Sequence, residues 1–237
     1  MNAQQQSVRF GASDARRWAA GVAVLVLGLT SIGQLRAQEI SLPTPAGKGD
    51  LSVEEAIATR RSVRSFADEP LTLEEIAQLL WAAVGVTADG TSGPTRAAAS
   101  AGGLYPVDVF IAVGDGGELD AGVYRYLWRD HEVEQVHAGD VRERLQLAAF
   151  GETGIEEAPA TLILAADYTE TARRYGERGV ERYVHMDAGH TAQNVLLQAR
   201  ALGLGATPIG AFGDSAVKQL LRTELEPLYL IPVGRPG

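Results

Sequence analysis

Arg60-Arg61-Ser62-Val63-Arg64 is the stretch on which the reading of this chain turns. It places three guanidiniums and a hydroxyl within five residues of a 237-residue chain whose formal net charge is −9. A guanidinium fork grips a phosphate through parallel hydrogen bonds, and a serine hydroxyl adds a contact of another kind. On spacing alone the run reads equally well as a solvated basic patch at a helix end, where cations complement the helix dipole. The acidity of the rest argues against a nucleic-acid binder, whose affinity comes largely from Lys and Arg on phosphates. Any anion site is therefore local. The chain has no cysteine, which excludes disulfides, thiolate catalysis and Cys-ligated metals. Its histidines are His131, His137, His185 and His190. The last two are five apart and miss the i, i+4 spacing of a helical metal face.

The ground before the run divides in three. Arg16-Arg17-Trp18 precedes an apolar stretch from Ala19 to Leu29, broken only by glycines, and small and polar residues follow. A basic flank, a short apolar core and small residues near a cut describe an export signal over residues 1–37. The paired arginines suit a twin-arginine signal. An uncleaved membrane anchor is the alternative, although the stretch is shorter than the roughly 20 residues that span a bilayer. Residues 38–50 contain Pro43, Pro45, Gly47 and Gly49 and read as a flexible linker. The folded domain is expected over residues 51–237.

Two helix starts are marked within that domain. Ser52-Val53-Glu54-Glu55 and Thr72-Leu73-Glu74-Glu75 both match the capping box, in which hydroxyl and carboxylate satisfy each other's orphan amides. Ile76, Leu79, Leu80 and Ala83 then share one helical face. Val107 to Val113 predicts a strand. Gly122 to Trp128 and Val133 to Val136 predict a hairpin. Val141 to Phe150 is expected to be helical and Thr161 to Ala166 to be a buried strand. The longest helix is expected from about Arg182 to Leu202, with Val184, Ala188, Ala192, Val195, Ala199 and Leu202 on one face and Gly203 as its stop. Leu228 to Val233 is a final strand. Strict βαβ alternation is absent, so the expectation is an α+β fold with helices around one mainly antiparallel sheet.

Two glycine-rich segments complete the set. Ser100-Ala101-Gly102-Gly103-Leu104-Tyr105-Pro106 lets a planar ligand approach the backbone, or is simply a turn entering the strand at Val107. Gly203 to Phe212 fails the dinucleotide fingerprint, because it follows a helix and lacks the G-x-G-x-x-G spacing.

In this order the segments resemble the FMN-dependent nitroreductase family, over roughly Leu51 to Gly237. Arg-Arg-Ser-x-Arg followed by Phe66 is similar to the family's first FMN motif. Ser-Ala-Gly-Gly-Leu-Tyr-Pro is similar to the SagB-type dehydrogenase branch. So are Arg173-Arg174-Tyr175-Gly176-Glu177-Arg178-Gly179 and, on the long helix, Asp187-Ala188-Gly189-His190 with Gln193-Asn194. The resemblance implies an intertwined homodimer and FMN as cofactor. It implies that Arg60 and Ser62 hold the phosphate and ribityl side, with Arg61 in the same grip, and that Arg64 lies near the N1/O2 edge. Ser100, Ala101, Gly102 and Gly103 would reach the flavin from the partner subunit. Pro208, Ile209, Gly210 and Ala211 would pack along the isoalloxazine, with an amide near N5. Arg235 is a candidate second phosphate ligand, and Tyr105 a candidate border of the substrate pocket.

The sequence departs from the family in three respects. Gly103 stands where many members carry Asn. The sequence ends at Gly237, so phosphate contacts from a longer tail are not expected. No Lys-x-Tyr pair of the azoline-dehydrogenating kind is present. Asp187 is read as a helix or interface contact, and Tyr124, Tyr126, Tyr168, Tyr175 and Tyr183 as packing. The implied activity passes a hydride through flavin N5, from an organic or nicotinamide donor to a quinone, nitro compound or oxygen. The protein then supplies position and electrostatics rather than an acid–base side chain. Export to the periplasm would remove the enzyme from NAD(P)H and favour an organic donor or another redox partner. A flavin-binding protein without turnover, and an exported solute-binding domain without flavin, are the alternatives.

Overall fold

A computed structural model describes residues 39–90 and 93–237. The candidate export signal at 1–37 lies outside the described residues. In chain order the elements are β1 (Glu39–Ser41), α1 (Val53–Thr59), α2 (Leu73–Val84), β2 (Val86–Gly90), β3 (Gly93–Arg96), β4 (Val107–Val113), β5 (Gly122–Leu127) and β6 (Glu132–Ala138). Then follow α3 (Arg142–Ala148), α4 (Thr153–Glu157), β7 (Ala160–Ala166), α5 (Thr169–Tyr175), a π turn (Gly179–Tyr183), α6 (Val184–Ala201), β8 (Gly205–Ala206), α7 (Asp214–Leu221) and β9 (Glu226–Gly234).

Seven strands form one sheet in the order β1-β6-β5-β4-β7-β9-β8, and every pairing is antiparallel. The expected α+β architecture is present. Its central strands are apolar on both faces because both faces are covered. In β4, Val109, Ile111 and Val113 turn toward α2 and α6, while Phe110 and Ala112 turn toward α3 and α7. In β7, Leu162 and Leu164 face the first layer, and Ile163 and Ala165 the second. Both capping boxes are formed: the Ser52 and Thr72 hydroxyls accept from the Glu55 and Glu75 amides, and those glutamates accept from the cap amides in return.

The long helix α6 buries Val184, Ala188, Ala192, Val195 and Ala199 as its periodicity requires. It stops at a left-handed Gly203 (φ 75°). There the Leu204 amide donates to the Ala199 carbonyl and the Gly203 amide to Arg200, a Schellman ending.

The segment 38–50 is not a free linker. Glu39–Ser41 pairs with β6 as the edge strand, and the Leu42 amide donates to the His131 carbonyl at 3.1 Å. The His131 ring joins the Pro43 carbonyl (2.8 Å) to the Tyr126 hydroxyl (2.7 Å), and Gln78 brackets Ala46. Its first half is tied down through the Leu42 amide, the Pro43 carbonyl and both backbone groups of Ala46. Among the described residues no helix is long and apolar enough to cross a membrane.

Because α2 carries much of the first core layer, its cap is where a small change should register. Thr72→Ala removes one half of the box and should cost about 1 kcal/mol, lowering the thermal midpoint by roughly 2–4 °C. A midpoint unmoved in calorimetry would show that the Glu75 carboxylate alone holds the helix start.

Candidate functional site

The Arg60–Phe66 run leaves α1 and lies along the open edge of the sheet. Ser62 bridges Ala206 in parallel, the Val63 amide donates to the Ala206 carbonyl, and Phe66 bridges Pro236. Two glycines allow this approach. A Cβ on Gly205 would stand 2.5 Å from a Val63 methyl, and one on Gly154 would stand 2.8 Å from the Arg64 carbonyl oxygen. Phe66 is buried and anchors the run, while Arg61, Ser62 and Arg64 are exposed and Arg60 half-buried. Arg61 folds back onto the carbonyls of Ala58 and Arg60. Among the described residues no carboxylate pairs with Arg60, Arg61 or Arg64.

The same edge carries the second predicted segment. After β8 the chain passes Pro208 and is tied back by Ile209, which exchanges two backbone hydrogen bonds with Leu230. Gly210 and Ala211 then run exposed, and their amides donate to no acceptor among the described residues. The Gly213 amide closes the segment onto the Ala148 carbonyl at 2.8 Å. The structure therefore brings Arg60–Arg64 and Pro208–Ala211 together through β8.

Arg235 is nearby but engaged elsewhere. Its guanidinium meets Glu69 at 2.9 Å and Glu75 at 3.0 Å, and Glu75 is itself the capping carboxylate of α2. Two carboxylates more than neutralise one cation. In this structure Arg235 joins the end of the C-terminal strand to α2 through these carboxylates.

Ser100–Gly103 is built elsewhere, against α6. The Ser100 hydroxyl donates to Asp187 at 2.6 Å and accepts the Tyr105 amide at 2.8 Å, while the Ala101 amide also donates to Asp187. Asp187 is 4% exposed, so its carboxylate is committed to this loop. That agrees with its reading as a helix contact. Gly102 (φ 62°) and Gly103 (φ 66°) are left-handed, and a Cβ on Gly102 would stand 2.5 Å from the Tyr175 hydroxyl and 3.2 Å from Arg174. Sequence reasoning read Tyr175 as packing and Arg174 only as part of the Arg173–Gly179 motif; α5 brings both to this loop. No hydrogen bond or bridge among the described residues joins the loop to the Arg60–Arg64 run.

Tyr105 has a different environment from the one expected. It too is left-handed (φ 51°), and its hydroxyl accepts the Arg96 amide at 3.4 Å. The Arg96 guanidinium lies between the Trp128 ring, 3.6 Å away, and the Tyr105 ring, 4.8 Å away, and Arg129 covers Trp128 at 4.2 Å. Burial pulls Arg96 down to about 10, against the opposing pull of Asp108. The cavity beside Tyr105 is only about 10 Å³, room for one water at most. Within one copy Tyr105 therefore packs rather than bordering a substrate pocket. A groove of about 670 Å³ runs between residues 44–53, α2 and α6, and is lined by none of the predicted site residues.

The Asp187 contact makes a direct prediction. Asp187→Ala leaves the Ser100 hydroxyl and the Ala101 amide without their acceptor, at about 1–3 kcal/mol. Amide exchange at Ala101 and Tyr105 should accelerate while that of β7 stays slow. Unchanged exchange at both amides would show that the glycine turn holds itself.

The comparisons with known proteins follow this geometry. The model of the nitroreductase family matches residues 57–235. A protein named as a nitroreductase in Methanocaldococcus jannaschii is 41% identical over 197 residues, covering 83% of this chain and 96% of the relative. A solved structure named as a nitroreductase from Ralstonia eutropha superposes with a TM-score of 0.72 at 28% identity, over 84% of this chain and 90% of the other. At 22% identity and a TM-score of 0.55, over 78% of this chain and 68% of the other, the NADPH:FMN oxidoreductase of Vibrio harveyi shares the fold. With its sheet order, its arginine run on the open sheet edge and these likenesses, the chain belongs to the nitroreductase family.

Proposed function

We propose that the protein is an FMN-dependent oxidoreductase whose cofactor phosphate is gripped by Arg60 and Ser62, with Arg64 beside the ring edge. One observation carries this: in a chain of net charge −9, the half-buried Arg60 and the exposed Arg64 flank Ser62 on the sheet edge with no carboxylate partner among the described residues. Unpaired arginines beside one hydroxyl suit a dianionic phosphate, which accepts charge-assisted bonds from several donors at once. The neighbouring amides of Gly210 and Ala211 are exposed and uncommitted, as donors to a ring heteroatom must be. Pro208 and Ile209 offer an apolar, half-buried margin for a flat ring. The residues present therefore fit the group. Arg61, turned onto its own backbone, contributes charge rather than a direct bond.

When bound, FMN supplies hydride transfer, and the protein supplies position and electrostatics. Arg64 would place positive charge by the ring edge, and Arg60 with Ser62 would fix the phosphate. The Ser100–Gly103 loop would close the flavin of a second copy, so the working unit is a homodimer. Its separation from the arginine run within one chain supports that arrangement. The motif Ser-Ala-Gly-Gly-Leu-Tyr-Pro and the segment Arg173–Gly179 favour the SagB-type branch. Gly103 in place of Asn and the absence of a Lys-x-Tyr pair leave azoline dehydrogenation outside the proposal. Export directed by residues 1–37 would place the enzyme in the periplasm, with an organic or protein-borne donor in place of NAD(P)H.

Protein purified without added cofactor should be yellow, absorbing near ~450 nm as oxidised flavins do. Arg60→Ala should lose most of its flavin with its thermal midpoint little changed. Full occupancy in that variant would remove the phosphate grip from the reading. A flavin carrier without turnover is the second reading, because the same grip serves both. Anaerobic bleaching by NADH or another donor, followed by recovery with a quinone, separates the enzyme from the carrier.

A further inference from the structure

Where the end of α5 meets the Ser100–Gly103 loop, the fold leaves a group of donors unused. Gly102 is exposed, and its amide donates to no acceptor among the described residues. The point where its Cβ would stand is 2.5 Å from the Tyr175 hydroxyl and 3.2 Å from both Nε and Cζ of Arg174. The missing side chain lets both groups close on the loop. Arg174 is exposed and has no carboxylate within 4.0 Å among the described residues. The Tyr175 hydroxyl makes no hydrogen bond among them either. The preceding residue shows the contrast, since Arg173 is paired with Glu170 inside α5.

These donors stand on a fixed mount. The Tyr175 ring meets Tyr183 edge-on, with centroids 5.0 Å apart, and Arg178 Nε donates to the Tyr183 hydroxyl at 2.8 Å. Tyr183 ends the π turn Gly179–Tyr183, a backbone form found mostly as single turns and frequently at functional positions. That turn packs against α5 because Gly179 has no side chain: a Cβ there would stand 2.5 Å from the Thr171 carbonyl oxygen. From the other side, the buried Asp187 holds the loop through the Ser100 hydroxyl and the Ala101 amide. Asp187 is thereby taken up and does not compensate Arg174. A cation, a hydroxyl and an amide, all uncommitted and held at one place, are the donor set that an oxyanion requires.

We propose that Arg174, Tyr175 and the Gly102 amide form a carboxylate-binding site, and that it takes the acid group of the substrate, so that the protein prefers acidic substrates over neutral ones. The carboxylate site is built within one chain. Its use for a substrate rests on the FMN reading above, in which the Ser100–Gly103 loop closes a flavin. A guanidinium meets a carboxylate through two charge-assisted bonds, and a hydroxyl adds a third. A neutral amide of the same shape accepts at one oxygen only, without charge assistance.

Benzoate and benzamide share ring and shape and differ in charge. Neither is reduced, so calorimetric titration of the full-length protein as purified reads binding alone. The unaltered protein should bind benzoate roughly tenfold more tightly than benzamide. Arg174→Gln should bring that ratio to about one by weakening benzoate alone, and Tyr175→Phe should lower it by roughly threefold. Flavin content, sedimentation and thermal midpoint should stay unchanged in both variants. The substrate role is read separately, by reoxidation of the dithionite-reduced protein with a naphthoquinone carboxylate and its amide. Arg174→Gln should require roughly tenfold more of the acid for half-maximal rate, with the limiting rate and the response to the amide unchanged. Equal binding of benzoate and benzamide by the unaltered protein, or a preference that survives Arg174→Gln, would overturn the proposal. So would an unchanged half-saturation by the quinone acid. Loss of flavin from Arg174→Gln would give the site to the cofactor, and altered sedimentation would make the arginine a subunit contact; each overturns it as well. Protein that purifies without flavin sinks the FMN reading, an outcome visible in the spectrum, while the benzoate titration still decides the carboxylate site.

Discussion

The close approach of the Arg60–Phe66 run to the open sheet edge is the constraint on which the candidate site depends. The run has no strand partner of its own length. It is held by single bridges at Ser62 and Phe66, by the buried Phe66 ring, and by Gly205 and Gly154, whose missing Cβ atoms leave room for Val63 and the Arg64 carbonyl. Phe66 is buried and Val63 half-buried against the body, while Arg61, Ser62 and Arg64 are exposed and Arg60 half-buried. The run thus anchors itself through its apolar residues and presents polar ones. A methyl group on either glycine would have to move backbone or the Val63 side chain, not the far end of a flexible side chain, so the geometry of the grip and the packing of the sheet edge are one arrangement.

Much of the fold was legible because it rests on local physics. The boxes at Ser52 and Thr72, the apolar stripe of α6 and the glycine stop at Gly203 involve residues within one turn of each other, and each formed where the pattern put it. The strands β4 and β7 were legible as apolar runs, since a sheet covered on both faces demands them. What escaped was settled over long sequence distances. β1 exists because its edge hydrogen bonds are taken by β6, more than ninety residues away. The hairpin β2–β3, the five-residue α4 and the eight-residue α7 carry too little periodicity to stand out.

The site was legible in part for the same reason. Arg60, Ser62, Arg64 and the Pro208–Ala211 stretch could be named from motif and order, and β8 brings them to one edge. Gly154, Arg174 and Tyr175 could not, because each owes its place to a partner elsewhere in the chain.

The arginines show why counting cations does not find a binding site. Arg235 is paired with Glu69 and Glu75, unlike the other arginines compared with it. Arg96 has no carboxylate on it either; its Nε and Nη1 are buried and find no hydrogen-bond partner among the described residues. Its charge is met by the faces of Trp128 and Tyr105, an arrangement that stabilises a desolvated guanidinium. Burial lowers its pKa to about 10, so it stays protonated at neutral pH. Among the described residues Arg60 and Arg64 have neither carboxylate nor aromatic face. Arg64 is exposed and Arg60 half-buried, and an exposed cation needs no compensation and forfeits little when an anion arrives. A guanidinium that is already satisfied must break bonds to bind. One that is solvated must only release water, and that sets the arginines of the proposed phosphate grip apart from those already paired around it.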